Sequence, residues 1–171
     1  MKHNLLLLFL VATLTFSCSS DDNGDGGNEM PMEASSLVGT WDFTEFRIDE
    51  ATADDDLLFA KGIADVLLAE GCDILTFVFN NDETVDAEIR NFDDVQVDLT
   101  PDGGGLSVEC PTTFETESSI WSLDGDQLTF INEDGISETV TIQLNGDTLI
   151  VPAEILDSEN ASEGEAVFTR Q

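Results

Sequence analysis

Apolar and polar residues alternate along this chain with a period of two, and short turn signals interrupt the alternation at close intervals. Val85, Ala87 and Ile89 alternate with Asp86, Glu88 and Arg90. Val95, Val97 and Leu99 alternate with Gln96 and Asp98, and Val140, Ile142 and Leu144 with Thr141 and Gln143. Successive side chains of a strand point to opposite faces, so each run places one face on a core and one in water, as antiparallel sheets do. Ile74 to Phe79 is apolar on both faces, which predicts a strand covered on both sides, its outer face lying under a helix. Asn80-Asn81-Asp82, the Pro101 to Gly105 run, Asp124-Gly125, Asp134-Gly135 and Asn145-Gly146 supply the reversals. Leu123 to Phe130 and Leu144 to Val151 follow one hairpin design, and two copies of a turn do not make a repeat array.

One segment, residues 54–71, breaks the alternation. Phe59, Ile63, Val66 and Leu67 recur at helical spacing. Asp54 or Asp55 can cap the start, the acidic first turn suits the helix dipole, and Gly71 can end it. Gly62 weakens the middle by about 1 kcal/mol relative to Ala. This helix falls between the first and second expected strands.

The chain start reads as a secretory leader over residues 1–17. Lys2 and His3 precede an apolar run from Leu5 to Phe16, too short to span a bilayer as a mature helix. Ser17 and Cys18 then resemble the cleavage site of bacterial lipoprotein precursors, with Thr15 where Leu is usual and Leu14 one step earlier. The resemblance implies lipidation of Cys18, cleavage just before it, and anchoring to a membrane outside the cytoplasm. Residues 18–36 are rich in Gly, Asp, Ser and Asn and are expected to form a flexible tether. Cys18-Ser19-Ser20-Asp21-Asp22 also resembles the start of surface-exported lipoproteins of the Bacteroidota, which implies the outer membrane or the cell surface.

Without the leader, four cations (Arg47, Lys61, Arg90 and Arg170) face 37 acids. Such a chain repels phosphates, so nucleic-acid binding is set aside. The charge implies solubility and tolerance of salt. Residues 37–171 suit one domain with a sizeable core. Cys72 and Cys110 read as a disulfide outside the cytoplasm, the alternative being two buried thiols.

Leu37-Val-Gly-Thr-Trp41, Leu75 to Val85 and Ser119 to Phe130 resemble the bacterial lipocalin-like lipoproteins, and the resemblance covers most of residues 37–151. It implies a mainly β fold: a single antiparallel barrel of about eight to ten strands, with the helix between strands one and two. It implies Gly39 and Trp41 on the first strand, and a basic side chain near the chain end packed on the Trp. Arg170 is the cation available for that role, after a closing strand around Val167. A barrel of this size is filled by side chains or holds one small molecule. The helix is therefore either a lid, with Phe59, Ile63, Val66 and Leu67 contacting a ligand, or a plug that completes the core.

Catalysis is hard to build from this composition. The one His lies in the leader, and no Tyr exists. No Ser-His-Asp or Cys-His set is possible, and two cysteines alone make no zinc site. No phosphate-binding or dinucleotide fingerprint occurs, so no cofactor is expected. Asp21 to Gly26 resembles the first half of a calcium loop, but Met32 stands at the twelfth position, where a Glu is required. Asp93-Asp94 and Asp124-Gly125-Asp126 are turn acids able to hold a weak surface ion. The expectation is a non-enzymatic, membrane-anchored binding module for a small apolar molecule. The alternative is a cell-surface interaction protein with a filled barrel.

Overall fold

Alternation in the sequence becomes alternation in burial. In β2 (Leu75–Phe79) the odd positions Leu75, Phe77 and Phe79 are buried, and Thr76 and Val78 are half-buried on the other face. β10 (Thr148–Pro152) buries Leu149 and Val151 in the same way. The computed structural model describes residues 33–92, 95–100, 104–132, 134–155 and 164–171. The leader, Cys18, the tether as far as Met32, the calcium-like loop and Asp93-Asp94 lie outside them.

The first strand, β1 (Gly39–Ile48), pairs antiparallel with β2 on one side and with the last strand, β11 (Gly164–Arg170), on the other. Its inward row runs Trp41, Phe43, Phe46, a spacing of two and then three. A register shift between Phe43 and Glu45 explains the break: Thr44 is the extra residue of a β-bulge, so the inward face moves from odd to even positions. The Thr44 hydroxyl holds the bulge to the Val167 carbonyl at 3.3 Å.

The remaining strands form a meander. β2 pairs with β3 (Thr84–Arg90), β3 with β6 (Phe114–Asp124), β6 with β7 (Gln127–Ile131) and β7 with β8 (Ser137–Thr141). β11 pairs with β10, and β10 with β9 (Gln143–Asn145). Only Ile142 separates β8 from β9, so the run Ser137–Asn145 pairs first with β7 and then with β10. That handover nearly closes the nine-stranded antiparallel sheet into a barrel. Gly125 and Gly146, at φ 62° and 61°, make the tight turns before β7 and β10.

β4 (Val97–Leu99) and β5 (Leu106–Val108) leave the barrel between β3 and β6 as a separate two-stranded hairpin. Helix α1 (Asp55–Ala69) lies between β1 and β2 in sequence. The Asp54 carboxylate caps it by accepting from the Leu57 amide at 2.9 Å. Gly71, at φ 77°, ends it, and the Cys72 amide returns to the Leu67 carbonyl at 2.9 Å. The outer face of β2 is not where the helix packs. α1 lies against β1 and the β4–β5 hairpin, and the outward Thr76 hydroxyl on β2 instead bonds Asp42 across the sheet at 2.7 Å. Leu57, Ala64 and Leu68 face the barrel core, and Leu67, Ile63 and Val66 pack with Leu106 and Val108 of the hairpin. Gly62 has a positive role here: a Cβ at that position would lie 3.3 Å from Leu106 Cδ1, so its absence lets β5 approach.

Candidate functional site

The barrel interior is the first place to look for a ligand. A chain of aromatic rings runs across it from wall to wall. Phe43 on β1 meets Phe168 on β11 at 5.7 Å between centroids, and Phe168 meets Phe77 on β2 at 5.0 Å. Phe77 lies 5.9 Å from Phe79, and Phe79 lies 5.2 Å from Trp121 on β6. Phe130 on β7 completes the set, 6.4 Å from both Phe77 and Phe79. These separations are those of rings in direct contact. Leu128, Val140, Ile142, Leu149 and Val151 pack around them, each 5% exposed or less. The alternating Phe and Trp of β1 and β2 signal inward rings in the sequence. That the rings meet depends on barrel pairing, which local pattern does not encode.

At one end of the barrel the sequence-expected trio Gly39, Trp41 and Arg170 comes together. Trp41 is fully buried, and its indole N–H donates to the Leu37 carbonyl at 2.7 Å. The Arg170 guanidinium carbon stands 4.1 Å from the Trp41 ring centroid. The same guanidinium donates to the Val38 carbonyl at 2.7 Å and to the Ser36 carbonyl, and pairs with Asp147 at 3.5 Å. Gly39 has φ 141°, and a Cβ there would sit 2.7 Å from Arg170 Nη1, so only glycine leaves room for this cation. Ala34–Ser36, expected to belong to the tether, form a short 3-10 turn that Arg170 holds through Ser36.

The four helix residues expected at a ligand divide between solvent and the hairpin. Phe59 is half exposed to solvent, and Ile63, Val66 and Leu67 are used up against the β4–β5 hairpin. Cys72 and Cys110 are joined as a disulfide with Cα atoms 5.7 Å apart, tying the end of α1 to the segment after β5.

Open space lies outside the barrel. A cleft of about 630 Å³ separates the hairpin from the chain entering β6. Asn91, Gln96, Ser107, Thr112 and Thr113 supply amides and hydroxyls to it, with Asp98 and Glu109 adding carboxylates. Sequence reasoning missed these residues because nothing in their pattern marks them.

Among the described residues no polar side chain is buried, and no cluster of three or more metal-binding side chains is present. Among the described residues two carboxyls are clearly shifted and both are held below the usual range, Glu45 by the Arg47 hydrogen bond and Asp82 by Thr84. No described helix is long and apolar enough to cross a membrane.

A family model for the lipocalin-like domain matches residues 37–151. The chain belongs to the lipocalin-like domain family. No curated protein sequence matches it. Among solved structures it is similar to a lipocalin-like protein from Bacteroides uniformis, at 14% identity over 80% of this chain and 99% of that one, with a TM-score of 0.40. An uncharacterized protein from Bacteroides eggerthii is 11% identical over 78% of this chain and 98% of that one, with a TM-score of 0.42. A lipocalin-like barrel is a ligand-binding architecture, and here its interior carries six aromatic rings in contact. Among the described residues, this lipocalin-like domain also offers a cleft outside the barrel, beside the hairpin.

Proposed function

We propose that this chain is a non-catalytic, lipid-anchored surface protein whose filled barrel is a scaffold for contacts made through its outer strands and loops. The observation that carries the reading is the ring chain from Phe43 through Phe168, Phe77 and Phe79 to Trp121. Rings in contact occupy the part of the interior they span, and an apolar guest of drug size would need roughly 300 Å³ or more. Titrating the chain with a neutral apolar dye tests this. The expected result is no saturable uptake, and one-to-one saturable binding overturns it.

The anchor rests on the resemblance of the leader and Cys18 to lipoprotein precursors. Cys18→Ser is expected to move the protein from the membrane fraction to the soluble one. Continued membrane fractionation sinks that part of the proposal.

A second reading, a carrier of a small molecule, is favoured by the cleft beside the hairpin. Its volume suits a small ligand, and its amides and hydroxyls suit a polar one. Native mass spectrometry of protein from its own host decides: a co-purifying small mass supports the carrier, and a bare mass removes it.

A further inference from the structure

The strand β6 is only half enclosed. Phe114 to Ile120 pair with β3 without a break in register, from Arg90↔Phe114 to Thr84↔Ile120. On its other side β6 meets β7 only from Ile120 to Asp124. Phe114 to Ser119 therefore present backbone N–H and C=O groups that no described strand takes up. Phe114 to Ser118 are all exposed. Six residues make an edge of about 20 Å, long enough for one added strand.

Natural sheets blunt open edges with proline, charged side chains, bulges or a covering loop, because an unpaired edge is a template for another chain. The sequence Phe114-Glu-Thr-Glu-Ser-Ser119 has neither proline nor lysine, and its pairing with β3 is regular. Its guard is negative charge, which turns away acidic strands and leaves the edge open to a basic one. Glu115 and Glu117 project on one face, opposite Ile89 and Ala87 of β3. Behind the other face, Asp86 and Glu88 of β3 stand opposite Ser118 and Thr116. The nearest cation, Arg90, lies at the far end, 3.8 Å from the Phe114 ring centroid, donating to the Asp73 and Pro111 carbonyls. Asn91 donates to Glu115 at 2.6 Å and leaves its second carboxylate oxygen for another donor.

We infer that the free edge of β6 is a docking site for an extended, basic polypeptide segment, which adds to the sheet as a further strand. Main-chain hydrogen bonds supply the attachment, and lysines or arginines at alternate positions meet Glu115 and Glu117. The charge selects this occupant over a second copy of the chain. An antiparallel pair of β6 edges centred on Thr116 sets Glu115 against Glu117, and like charges directly opposite are destabilising. The whole-chain charge of −32 adds to that repulsion. The inference rests on the surface-interaction reading above and names the chemistry of its partner.

The test uses the full chain and a synthetic hexapeptide of alternating Lys and Thr with both ends blocked. Binding is read by amide hydrogen exchange. The expected result is slower exchange confined to the Phe114–Ser119 edge. The same peptide N-methylated at alternate residues keeps its charge but cannot pair, and is expected not to bind. Glu115→Lys with Glu117→Lys is expected to weaken the unmodified peptide about tenfold or more, from two reversed cross-strand pairs. Absence of binding, equal binding of the methylated peptide, or protection elsewhere overturns the proposal. So does protection of the same amides by concentration-dependent dimerisation, which assigns the edge to a second copy. A chain that excludes the apolar dye yet ignores the peptide retains the filled barrel and loses this inference alone.

Discussion

The Arg170 guanidinium carbon stands 4.1 Å from the centroid of the Trp41 ring, joining the last residue of β11 to the first strand. The contact combines a cation over an aromatic face with two hydrogen bonds to the Val38 and Ser36 carbonyls. Arg170→Ala is expected to cost about 2–4 kcal/mol in urea unfolding. Arg170→Lys is expected to recover less than half of that, because an ammonium cannot fork to two carbonyls while lying flat on a ring.

Gly39 is coupled to the same cation. Gly39→Ala forces a Cβ to 2.7 Å from Arg170 Nη1 and places a side chain at φ 141°. A loss of roughly 1–3 kcal/mol is expected. In the Arg170→Ala background the clash disappears and only the backbone strain remains. A double-mutant cycle is therefore expected to return a coupling of about 0.5 kcal/mol or more, and strict additivity would show that the two sites act independently.

The disulfide acts on α1 and the β4–β5 hairpin more than on the barrel. Cys72–Cys110 joins the end of α1 to the segment following β5, across 38 positions of sequence. Replacing both cysteines by serine is expected to cost up to about 4 kcal/mol on the chain-entropy model. Amide exchange should quicken at Leu106 to Val108 and in the last turn of α1. Exchange in the β2–β3 pair should change less, because the bridge meets that ladder only at its end, where Arg90 bonds the Asp73 and Pro111 carbonyls.

Why some of this was visible in the sequence and some was not follows from the range of each interaction. The alternation in Val85, Ala87 and Ile89, the Asp54 cap and the turns at Gly125 and Gly146 are local, and they appear in the structure as expected. The Trp41 closure was reachable only through the family resemblance, since 129 positions separate it from Arg170 in the chain. Val97 and Leu99 read as a barrel strand, yet they belong to a hairpin outside the barrel. Period two reports that one face is covered, not what covers it. The helical spacing of Ile63, Val66 and Leu67 likewise does not name their partners Leu106 and Val108, some 40 residues away.

The β2–β3 turn carries a pH dependence with a definite sign. Thr84 donates its hydroxyl to the Asp82 carboxylate at 2.6 Å and its amide at 3.3 Å. These bonds favour the ionised form and hold the Asp82 carboxyl below its ordinary value. A folded pKa lower than the unfolded one means that the stabilisation is present above the unfolded value. It is lost as the pH falls through the folded value. An NMR titration of the Asp82 side chain should find the lowered pKa, and Thr84→Val should return it toward the value of a free aspartate. An unchanged titration in that variant would assign the shift to another cause.

Phe77 is the residue on which the filled-barrel reading turns. Its ring touches Phe79, Phe130 and Phe168, and so links β2 to β7 and β11 through the centre of the barrel. Phe77→Ala removes the middle of that chain. The expected cost is about 3–5 kcal/mol, the transfer of the lost ring plus the cavity it leaves. The cavity would be lined by aromatic and aliphatic groups, and cavities of that kind stay dry and accept benzene or xenon. The variant is therefore expected to gain saturable binding of benzene that the parent chain lacks, together with a rise in melting temperature as benzene is added. Equal benzene binding by both chains would mean that the parent already holds an apolar space, and the barrel would return to the list of ligand sites.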